Sequence, residues 1–429
     1  MLDNGKAEGV RKIKRFEKYC LKDIATVSQG FTFSRLYQGK KNLKWNYFKV
    51  ADIGLNPNSK YLTNAINTIS DITMAEIGVL PFPKGSIVFP RVGAALFNNN
   101  KKILAQDGVV DDNVLVLTVT DTSKCWYEFL YYYLQGIPLA KWCNSGLVPV
   151  INTKTVLSQM VILPPLPEQQ KIATILSTQD KVIELKEKFL VQKQQQKKYL
   201  MQQLLTEKKR LPGFNEKWKV EKFSEIFDFL STNTLSRDNL FEGVGAIQNI
   251  HYGDILTKFD EVIDLDCVCL PSIKESAIPN NCATVKSGDI IIADTAEDLT
   301  AGKAVEVQNI GDRVIYSGLH TMLCRPKGQL FSDGWLGFYM NSEAYHKQLI
   351  PYIAGVKVMA ISKSNIVKTY IAIPSKAEQA SIVEILSTAD HEIDLLQKSI
   401  EAEKQKKKAL MQLLLMGKAR VEDEQRQDG

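Results

Sequence analysis

Four polar residues in the second half of the chain could, by type and spacing, form a catalytic carboxylate cluster. Asp289 precedes a short apolar run, Asp294 and Glu297 follow it, and Lys303 comes soon after them. Carboxylates in such a group can hold a divalent metal that polarises a phosphate. Scattered acids after a predicted strand are common in proteins without catalysis, however. We therefore predict no nuclease site at these residues.

A second pair of residues could supply nucleophilic catalysis. Ser317 could act as a nucleophile and His320 as its base, because a neighbouring histidine can accept the hydroxyl proton. No third group is evident that would orient the histidine. We favour a loop histidine that binds a polar ligand or packs against its neighbours.

Motifs that bind nucleotides, methyl donors or metals are absent from the sequence. There is no G-x-x-x-x-G-K-[ST] phosphate loop, no G-x-G-x-x-G turn and no Asx-Pro-Pro-aromatic motif of adenine methyltransferases. The four histidines share no metal-ligand spacing, and the seven cysteines form no C-x-x-C pair. We predict no catalytic residue, no bound metal and no cofactor on this chain.

Composition limits the class of protein. The chain has 429 residues, of which 45% are hydrophobic and 24% charged, as in ordinary globular proteins. This length suggests roughly two to three domains, and the net charge of +6 permits a polyanionic partner without requiring one. The unpaired cysteines are typical of reduced thiols. No apolar run reaches the roughly 18 residues of a membrane span, so we predict a cytoplasmic protein without membrane contact.

An internal repeat supplies the elements that would position these residues. Residues 164–210 recur as residues 374–420 without a gap, at a constant shift of 210 positions. In this alignment Glu168-Gln169 falls on Glu378-Gln379. Chance does not give an ungapped match of this length, so the chain contains two related halves.

Each copy of the repeat predicts one long helix. Prolines before Glu168 stop the preceding strand, and no proline or glycine interrupts the copies before Pro212 and Gly417. Each helix is expected to run for about 38 residues, or about 57 Å. Apolar residues at alternating spacings of three and four form a heptad seam. Its members are Ile172, Leu176, Ile183, Leu190, Leu200 and Leu204 in the first copy, and Ile382, Leu386, Ile393, Leu396, Ile400, Leu410 and Leu414 in the second.

The two seams can be buried in two ways. A coiled-coil arm that dimerises two chains is the common explanation for a heptad repeat. Because both copies lie in one chain and a whole domain separates them, the simpler solution is an antiparallel pair within the chain. Such a pair would set Glu403 against a lysine of the first helix and fix the register.

The segments that precede the two helices read as related α+β domains. The first has predicted strands at 47–53, 85–90 and 113–119, and a helix at 126–134. In the second domain, 245–250 occupies the place of the first of these strands, 286–292 matches residues 83–89, 316–323 parallels residues 106–117, and 335–340 parallels residues 126–131. The predicted limits are 1–163 and 215–373 for the domains, and 164–214 and 374–429 for the helical regions, the last with a polar tail.

This arrangement resembles the specificity subunit of type I restriction-modification enzymes. The resemblance covers nearly the whole chain and rests on the doubled pattern more than on any one motif. The residues that carry it are Pro164-x3-Glu168-Gln169, Pro374-x3-Glu378-Gln379, the helix ends 200–206 and 410–415, Leu211-Pro212-Gly213-Phe214, Asp52-Ile53, Pro90-Arg91-Val92-Gly93, His251-Tyr252-Gly253-Asp254-Ile255 and Thr257-Lys258.

The resemblance implies a non-catalytic, DNA-binding subunit with two tandem target recognition domains joined by two long helices in an antiparallel coiled coil. Each domain would read one half of a bipartite, asymmetric site in double-stranded DNA. The helices would dock two methyltransferase subunits and, through them, the restriction and translocase subunits. S-adenosylmethionine, ATP and Mg would be bound by those partners. The competing hypothesis is a coiled-coil scaffold or adaptor that binds no DNA.

Candidate DNA contacts follow from the chemistry of phosphates and base edges. In the first domain Arg91 follows a strand end, and Asn98 to Lys102 reads as a polar, basic loop. The predicted contacts are Lys49, Arg91, Asn98, Asn99, Lys101 and Lys102, and in the second domain His251, Tyr252, Lys258, Thr295, Lys303 and His320. Asp294-Thr295-Ala296 is expected to stand where the first domain has Pro90-Arg91-Val92, so the arginine's role does not carry across.

Overall fold

The computed structural model describes residues 16–32, 34–55, 59–144, 146 and 148–421. Its contacts divide the chain into two units, residues 1–188 with 398–429 and residues 189–397. Each unit contains one α+β domain and one half of each long helix, so the predicted fold class is confirmed. The predicted domain limits at residues 163, 214 and 373 stay a prediction.

The elements before the second domain are as follows. The strands are β1 Glu17–Cys20, β2 Ala25–Gln29, β3 Trp45–Phe48, β4 Tyr61–Leu62, β5 Asn67–Ile69, β6 Ile87–Pro90, β7 Lys102–Leu104, β8 Val109–Val110, β9 Val114–Val119 and β10 Met160–Leu163. The α-helices are α1 Val50–Leu55, α2 Asp71–Ile77, α3 Tyr127–Gln135, α4 Thr153–Leu157 and the long α5 Leu166–Leu204.

The remaining elements repeat this order with small changes. The strands are β11 Lys219–Lys222, β12 Phe227–Leu230, β13 Leu240–Phe241, β14 Gln248–Ile250, β15 Val262–Asp264, β16 Ser272–Ile273, β17 Ile290–Ala293, β18 Thr295–Ala296, β19 Ala304–Gln308, β20 Ile315–Ser317, β21 Thr321–Pro326, β22 Met359–Ala360 and β23 Tyr370–Ile373. The helices are α6 Phe223–Ile226, α7 Tyr252–Thr257, α8 Trp335–Met340, α9 Glu343–Leu349, α10 Lys363–Ile366 and the long α11 Lys376–Leu415.

The two domains share one sheet topology. The five-stranded sheet of the first unit has the order β2-β9-β6-β7-β4, and that of the second has the order β12-β21-β17-β19-β15. A smaller sheet β5-β3-β8 corresponds to β16-β14-β20, which β13 extends to four strands in the second unit. In each unit the first strand pairs with the strand before the long helix, as β1 with β10 and β11 with β23. The predicted structural repeat of the domains is therefore confirmed.

Strand β9 shows why the central strands read as continuous apolar runs. Leu115 and Leu117 point into a core that also contains residues of α3, of the start of α5 and of the end of α11. Val114 and Val116 point into a second core on the opposite face. Successive side chains of a strand face opposite sides of a sheet, and both faces are covered here. The predicted core strand at 113–119 is confirmed.

One predicted strand is too long. The segment 47–53 is not a single strand, because β3 ends at Phe48 and helix α1 begins at Val50. Asp52 causes the change of direction, since its buried carboxylate accepts hydrogen bonds from the backbone N–H of Lys49 at 2.7 Å and of Ile66 at 2.8 Å. Apolar alternation over seven residues cannot reveal this cap.

The long helices α5 and α11 pair in antiparallel fashion inside each unit. In the first unit Lys186 Nζ lies 2.8 Å from Glu403 Oε1, which confirms the predicted contact of Glu403 with a lysine. Lys407 Nζ lies 2.5 Å from Asp180 Oδ1 in the same unit. The residue numbers of the contacts rise along α5 as they fall along α11, so the two helices run in opposite directions.

The second unit repeats this pairing with the other halves of the helices. Lys193 Nζ lies 2.7 Å from Glu392 Oε2, and Lys197 Nζ lies 2.5 Å from Asp390 Oδ1. Lys197 and Asp390 are the repeat equivalents of Lys407 and Asp180. The antiparallel coiled coil within one chain is therefore confirmed, and its polar contacts obey the internal repeat.

The apolar seam is buried or half-buried at every predicted position. The buried members are Ile172, Leu176, Ile183, Leu204, Ile382, Leu386, Ile400 and Leu414. The half-buried members are Leu190, Leu200, Ile393, Leu396 and Leu410. Its ends belong to the domain cores, since Ile172 and Leu414 join the core of the first unit, and Leu204 and Ile382 that of the second. The seam therefore also anchors each domain to the helices.

The glutamine of the repeated Glu-Gln pair fastens each helix start to its own domain. Gln169 is fully buried, accepts a hydrogen bond from the Trp126 N–H at 2.8 Å and donates to the Lys124 carbonyl at 2.7 Å. Gln379 makes the equivalent contacts, for example with the Ser332 N–H at 2.8 Å. A buried amide with all of these partners tolerates few substitutions, which explains its presence in both copies.

Candidate nucleic-acid interface

Strand β6 places Arg91 at the rim of the first five-stranded sheet. The Arg91 N–H donates to the Asn113 carbonyl at 2.8 Å, and the Arg91 carbonyl accepts from the Ile151 N–H at 2.9 Å. Its backbone is therefore held on both sides. The side chain is half-buried, and among the described residues its guanidinium has no hydrogen-bond or ion-pair partner. It is thus available to a ligand.

Lys49 reaches the same rim from the smaller sheet. It follows β3, whose last residue Phe48 accepts a hydrogen bond from the Asp111 N–H at 2.9 Å. The turn that begins at Asp111 includes Asn113, the residue that holds Arg91. The structure therefore brings the predicted residues Lys49 and Arg91 to one turn, residues 111–113.

The prediction of a polar, basic loop at Asn98 to Lys102 is wrong for its two lysines. Lys101 and Lys102 are each only 2% exposed, and Lys102 begins strand β7. Lys101 Nζ donates to Asn99 Oδ1 at 2.7 Å and to the Ile137 carbonyl at 2.9 Å. Burial lowers the pKa of Lys101 to about 7 and that of Lys102 to about 8. Both ammonium groups serve the fold, so we no longer expect them to contact DNA.

The two asparagines of that segment differ from each other. Asn98 is exposed at the end of the 3-10 helix Ala94–Asn98 and stays a candidate contact. Asn99 has a φ of 55°, and its Oδ1 also accepts from the Leu139 N–H at 2.9 Å. Asparagine tolerates this left-handed conformation better than most residues. The Asn99 side chain therefore stabilises the turn.

In the second unit three predicted residues form one aromatic cluster. The rings of His251 and Tyr252 are 4.6 Å apart, and those of Tyr252 and His320 are 5.3 Å apart and edge to face. His251 caps helix α7, since its Nδ1 accepts from the Gly253 N–H at 3.2 Å. Burial first, and then the Arg237 charge, lower its pKa. A neutral imidazole with an aromatic neighbour can stack on a base or contact its edge.

Asp294 joins this cluster through His320. The backbone N–H of Asp294 donates to the His320 carbonyl at 3.1 Å, and its carbonyl accepts from the Ile361 N–H at 2.8 Å. Asp294 Oδ1 lies 3.3 Å from His320 Nδ1, within ion-pair distance, but it is buried and receives no hydrogen bond of normal geometry. The predicted contact Thr295 follows and pairs with Ala360 in the short sheet of β18 and β22.

Sequence reasoning missed Arg237. Its guanidinium donates to both oxygens of the buried Asp254 carboxylate, at 2.8 and 3.0 Å, and its side chain remains 45% exposed. Lys258, which was predicted, pairs with the same carboxylate at 3.1 Å and is 53% exposed. The spacing of Asp254 and Lys258 signals a helical ion pair, whereas no local pattern links Asp254 to a residue 17 positions earlier.

Lys303 is not brought to this cluster. Its Nζ donates to the Phe259 carbonyl at 2.8 Å, and burial lowers its pKa. The ammonium group therefore satisfies the backbone of the same domain, and the reason for predicting a DNA contact at Lys303 is lost.

The family of the chain follows from comparison with known proteins. The model of the type I restriction modification DNA specificity domain matches the sequence twice, over residues 13–194 and 215–404. The chain belongs to this family. It is a DNA-recognition specificity subunit, and the scaffold hypothesis without DNA binding is not favoured.

Two curated relatives are specificity subunits of Methanocaldococcus jannaschii. The putative type I restriction enzyme MjaX specificity subunit is 28% identical over 433 residues, covering 94% of this chain and 93% of that protein. The type I restriction enzyme MjaVIII specificity subunit is 27% identical over 292 residues, covering 64% of this chain and 66% of that protein, just under two thirds of its length.

Solved structures with a similar fold come from the same class of system. The S subunit of the type I restriction-modification system from M. genitalium has a TM-score of 0.56 at 13% identity, with 95% of this chain and 98% of that chain covered. A structure on complex assembly and conformational transition of the type I R-M system has a TM-score of 0.54 at 14% identity, with 94% and 97% covered. These similarities support the fold of the specificity subunit.

Within this specificity subunit, equivalent positions of the two domains carry different side chains. The strand ends correspond one to one, and the pairs are Lys49 with His251, Arg91 with Asp294, and Asn113 with His320. The predicted alignment of Asp294-Thr295-Ala296 with Pro90-Arg91-Val92 is wrong by one residue, because Ala293 ends β17 as Pro90 ends β6. An acid therefore replaces the arginine.

The catalytic alternatives find no support in the specificity subunit. Asp289 is committed to Arg325, whose Nε and Nη2 lie 2.8 and 2.7 Å from its oxygens. Ser317 is fully buried and shares a hydrogen bond with Thr321. Among the described residues no group of His, Cys, Asp and Glu could hold a metal ion. No helix in the described part of the chain is long and apolar enough to span a membrane.

Proposed function

We propose that this specificity subunit reads a bipartite, asymmetric sequence in double-stranded DNA, with one domain for each half. The observation that carries the proposal is that the two domains share one backbone arrangement but carry different side chains at equivalent positions. Arg91 and Asp294 occupy the same position in the two domains but carry opposite charges. Two readers with one fold and different chemistry recognise different sequences, so the two halves of the site should differ.

We further propose that the long helices dock two methyltransferase subunits and, through them, the restriction and translocase subunits. Apolar side chains that lie outside the seam support this proposal. Leu185 is 53% exposed in the first unit, and its repeat equivalent Leu395 is 52% exposed in the second. A single exposed leucine is ordinary, but its recurrence at equivalent positions of the repeat is what two copies of one partner would require. One such leucine in each unit fits this arrangement.

The proposed division of labour leaves chemistry to the partners. The chain itself would catalyse no reaction, and S-adenosylmethionine, ATP and Mg would be bound by the methyltransferase and restriction subunits. Purified chain alone is expected to show no methylation and no cleavage of DNA. With the methyltransferase partners it should methylate adenine in a split site.

Methylome sequencing of the host, with and without the gene for this chain, tests the proposed function. We expect one asymmetric, split motif to lose its methylation in the deletion strain and to regain it on complementation. An unchanged methylome in a host with active partner subunits would contradict the proposal.

The helices are proposed to set the gap between the two half-sites. An insertion of four residues into α5, roughly one turn or about 6 Å, is expected to shift the preferred gap or to abolish binding. A substitution of four exposed residues in the same helix, without a change of length, is the control. Binding with an unchanged gap after the insertion would show that the helices are not the spacer.

A further inference from the structure

The position shared by Arg91 and Asp294 differs between the two domains in chemistry but not in backbone. Each residue directly follows the strand that lies in the middle of its five-stranded sheet. Each donates its N–H across to the next strand and accepts a hydrogen bond from the segment before the domain's last short helix. Equal backbone constraints direct the Cβ atoms equally. The two side chains therefore leave the two domains at the same place.

The two side chains present opposite hydrogen-bonding character. Arg91 offers a fork of N–H donors that has no partner among the described residues of its unit. Asp294 offers acceptors only; its Oδ1 is buried, but its side chain as a whole is 28% exposed, so the exposed part of the carboxylate can accept a hydrogen bond. Polar groups of folded proteins are usually satisfied. Both residues thus retain capacity for an external partner.

Apolar side chains stand beside this position in both units. Val148 is 56% exposed, and its repeat equivalent Val358 is 57% exposed. Both lie two residues before the β-bridge that the residue after Arg91 or Asp294 makes. A single exposed valine is ordinary, but its recurrence at one place in both units indicates a surface that is covered in use. Such side chains can contact the thymine methyl group in the major groove.

The carboxylate at this position shows whether the side chain would contact a phosphate or a base of the DNA. Phosphate oxygens are anionic and acceptors only, so an aspartate cannot bind them directly. Within a DNA interface it can instead accept a hydrogen bond from an exocyclic amino group of a base. Arginine at the same position can bind the O6 and N7 atoms of guanine with two hydrogen bonds.

We infer that Arg91 and Asp294 are equivalent base-reading residues of opposite polarity, and this inference rests on the proposed function. Arg91 reads a guanine in one half-site. Asp294 reads a base with an amino group in the major groove, cytosine or adenine, in the other half-site. The His320 imidazole, whose Nδ1 lies 3.3 Å from the buried Asp294 Oδ1, packs beside this carboxylate and leaves its other oxygen to meet the base.

The test is selection of bound duplexes from a randomised DNA library by the full-length chain, followed by sequencing. The variant Arg91→Lys keeps the charge but loses the fork of donors. We expect its preference for guanine at one position of one half-site to fall between about fivefold and about 150-fold. The variant Asp294→Asn keeps the size but adds donors, and should lose its preference for cytosine or adenine at one position of the other half-site.

Two matched variants control for the chemical changes. Arg313 and Asp266 form an exposed pair at 3.6 Å in the second unit, so Arg313→Lys and Asp266→Asn make the same substitutions away from Asp294. Both are expected to select the wild-type motif. Thermal unfolding of every variant checks the fold, and Asp294→Glu, which displaces the carboxylate by one methylene, replaces Asp294→Asn if that variant unfolds.

Three outcomes decide the question. Loss of preference at single positions in separate half-sites supports the inference. Motifs identical to wild type, or an equal loss of affinity for every sequence, would overturn it while the wild-type motif still upheld the proposed function. A wild-type chain that selects no motif would overturn the proposed function and, with it, this inference.

Discussion

The Arg420 guanidinium donates two hydrogen bonds to the carboxylate of Glu168, from Nε at 2.8 Å and from Nη2 at 2.7 Å. Arg210 holds Glu378 in the same way in the second unit, at 2.7 and 2.8 Å. Glu168 and Glu378 are the acids of the repeated Glu-Gln pairs, and both side chains are almost fully buried. Each helix start is thus bound to an arginine that lies five or six residues beyond the end of the other helix.

This contact predicts a loss of stability when the arginine is removed. Arg420→Met removes both guanidinium donors of the buried Glu168 carboxylate and leaves the Val421 N–H at 3.4 Å, so the free energy of unfolding should fall by about 1–3 kcal/mol. Urea unfolding, with hydrogen exchange at the end of α11 as a local probe, measures the change. In a double-mutant cycle with Glu168→Gln the two losses should not add. Strict additivity would show that the pair contributes no coupling.

Lys101 predicts a rise in stability with pH. Because burial lowers its pKa from 10.5 to about 7, the folded chain binds fewer protons than the unfolded chain between these two values. The free energy of unfolding should therefore rise with pH in this window, by up to about 1.4 kcal/mol per pH unit, relative to Lys101→Met. The exposed Lys84→Met is the control. Parallel pH profiles for wild type and Lys101→Met would contradict the prediction.

Glu306 predicts a pH dependence of the opposite sign. Burial raises its pKa from 4.5 to about 7, although it accepts from the Gly334 and Gly337 N–H groups at 2.6 and 3.0 Å. The folded chain then binds more protons than the unfolded chain between pH 4.5 and about 7. Relative to Glu306→Gln, wild type should lose stability as pH rises through this window. Urea midpoints measure the effect.

The exposed Glu225→Gln serves as the control for this substitution. It removes the same charge without touching a buried group, so its pH profile should follow that of wild type. A stability difference between wild type and Glu306→Gln that does not change with pH would show that the carboxyl group ionises normally.

Two predicted DNA contacts should respond differently to substitution. Lys258 is 53% exposed, so Lys258→Gln should weaken binding of all sequences alike and reduce the slope of log Kd against log salt by about one. Lys303 donates to the Phe259 carbonyl, so Lys303→Gln should lower stability and leave the slope unchanged. Fluorescence anisotropy over a salt series measures both. Equal slopes for the two variants would contradict this distinction.

Local pattern alone predicted the helices, the repeated α+β domains and the antiparallel pairing with its contact to Glu403. These features depend on the periodicity of apolar residues and on the order of elements, which are written directly in the sequence. The internal repeat added the strongest constraint, because two seams in one chain can bury each other. The structure confirms helices of 39 and 40 residues where about 38 were expected.

Only the tertiary structure decided which polar residues are free to meet DNA. Lys101 and Lys102 were predicted to lie in a basic loop, but the carbonyls of Ile137 and Ser59 accept hydrogen bonds from these two buried ammonium groups. Arg237 belongs to the candidate surface because its guanidinium binds the carboxylate of Asp254, 17 residues away in the sequence. The burial of a polar side chain depends on partners distant in sequence, and the local spacing of residues does not reveal those partners. The equivalence of Arg91 and Asp294 likewise became visible only from the positions at which strands β6 and β17 end in the structure.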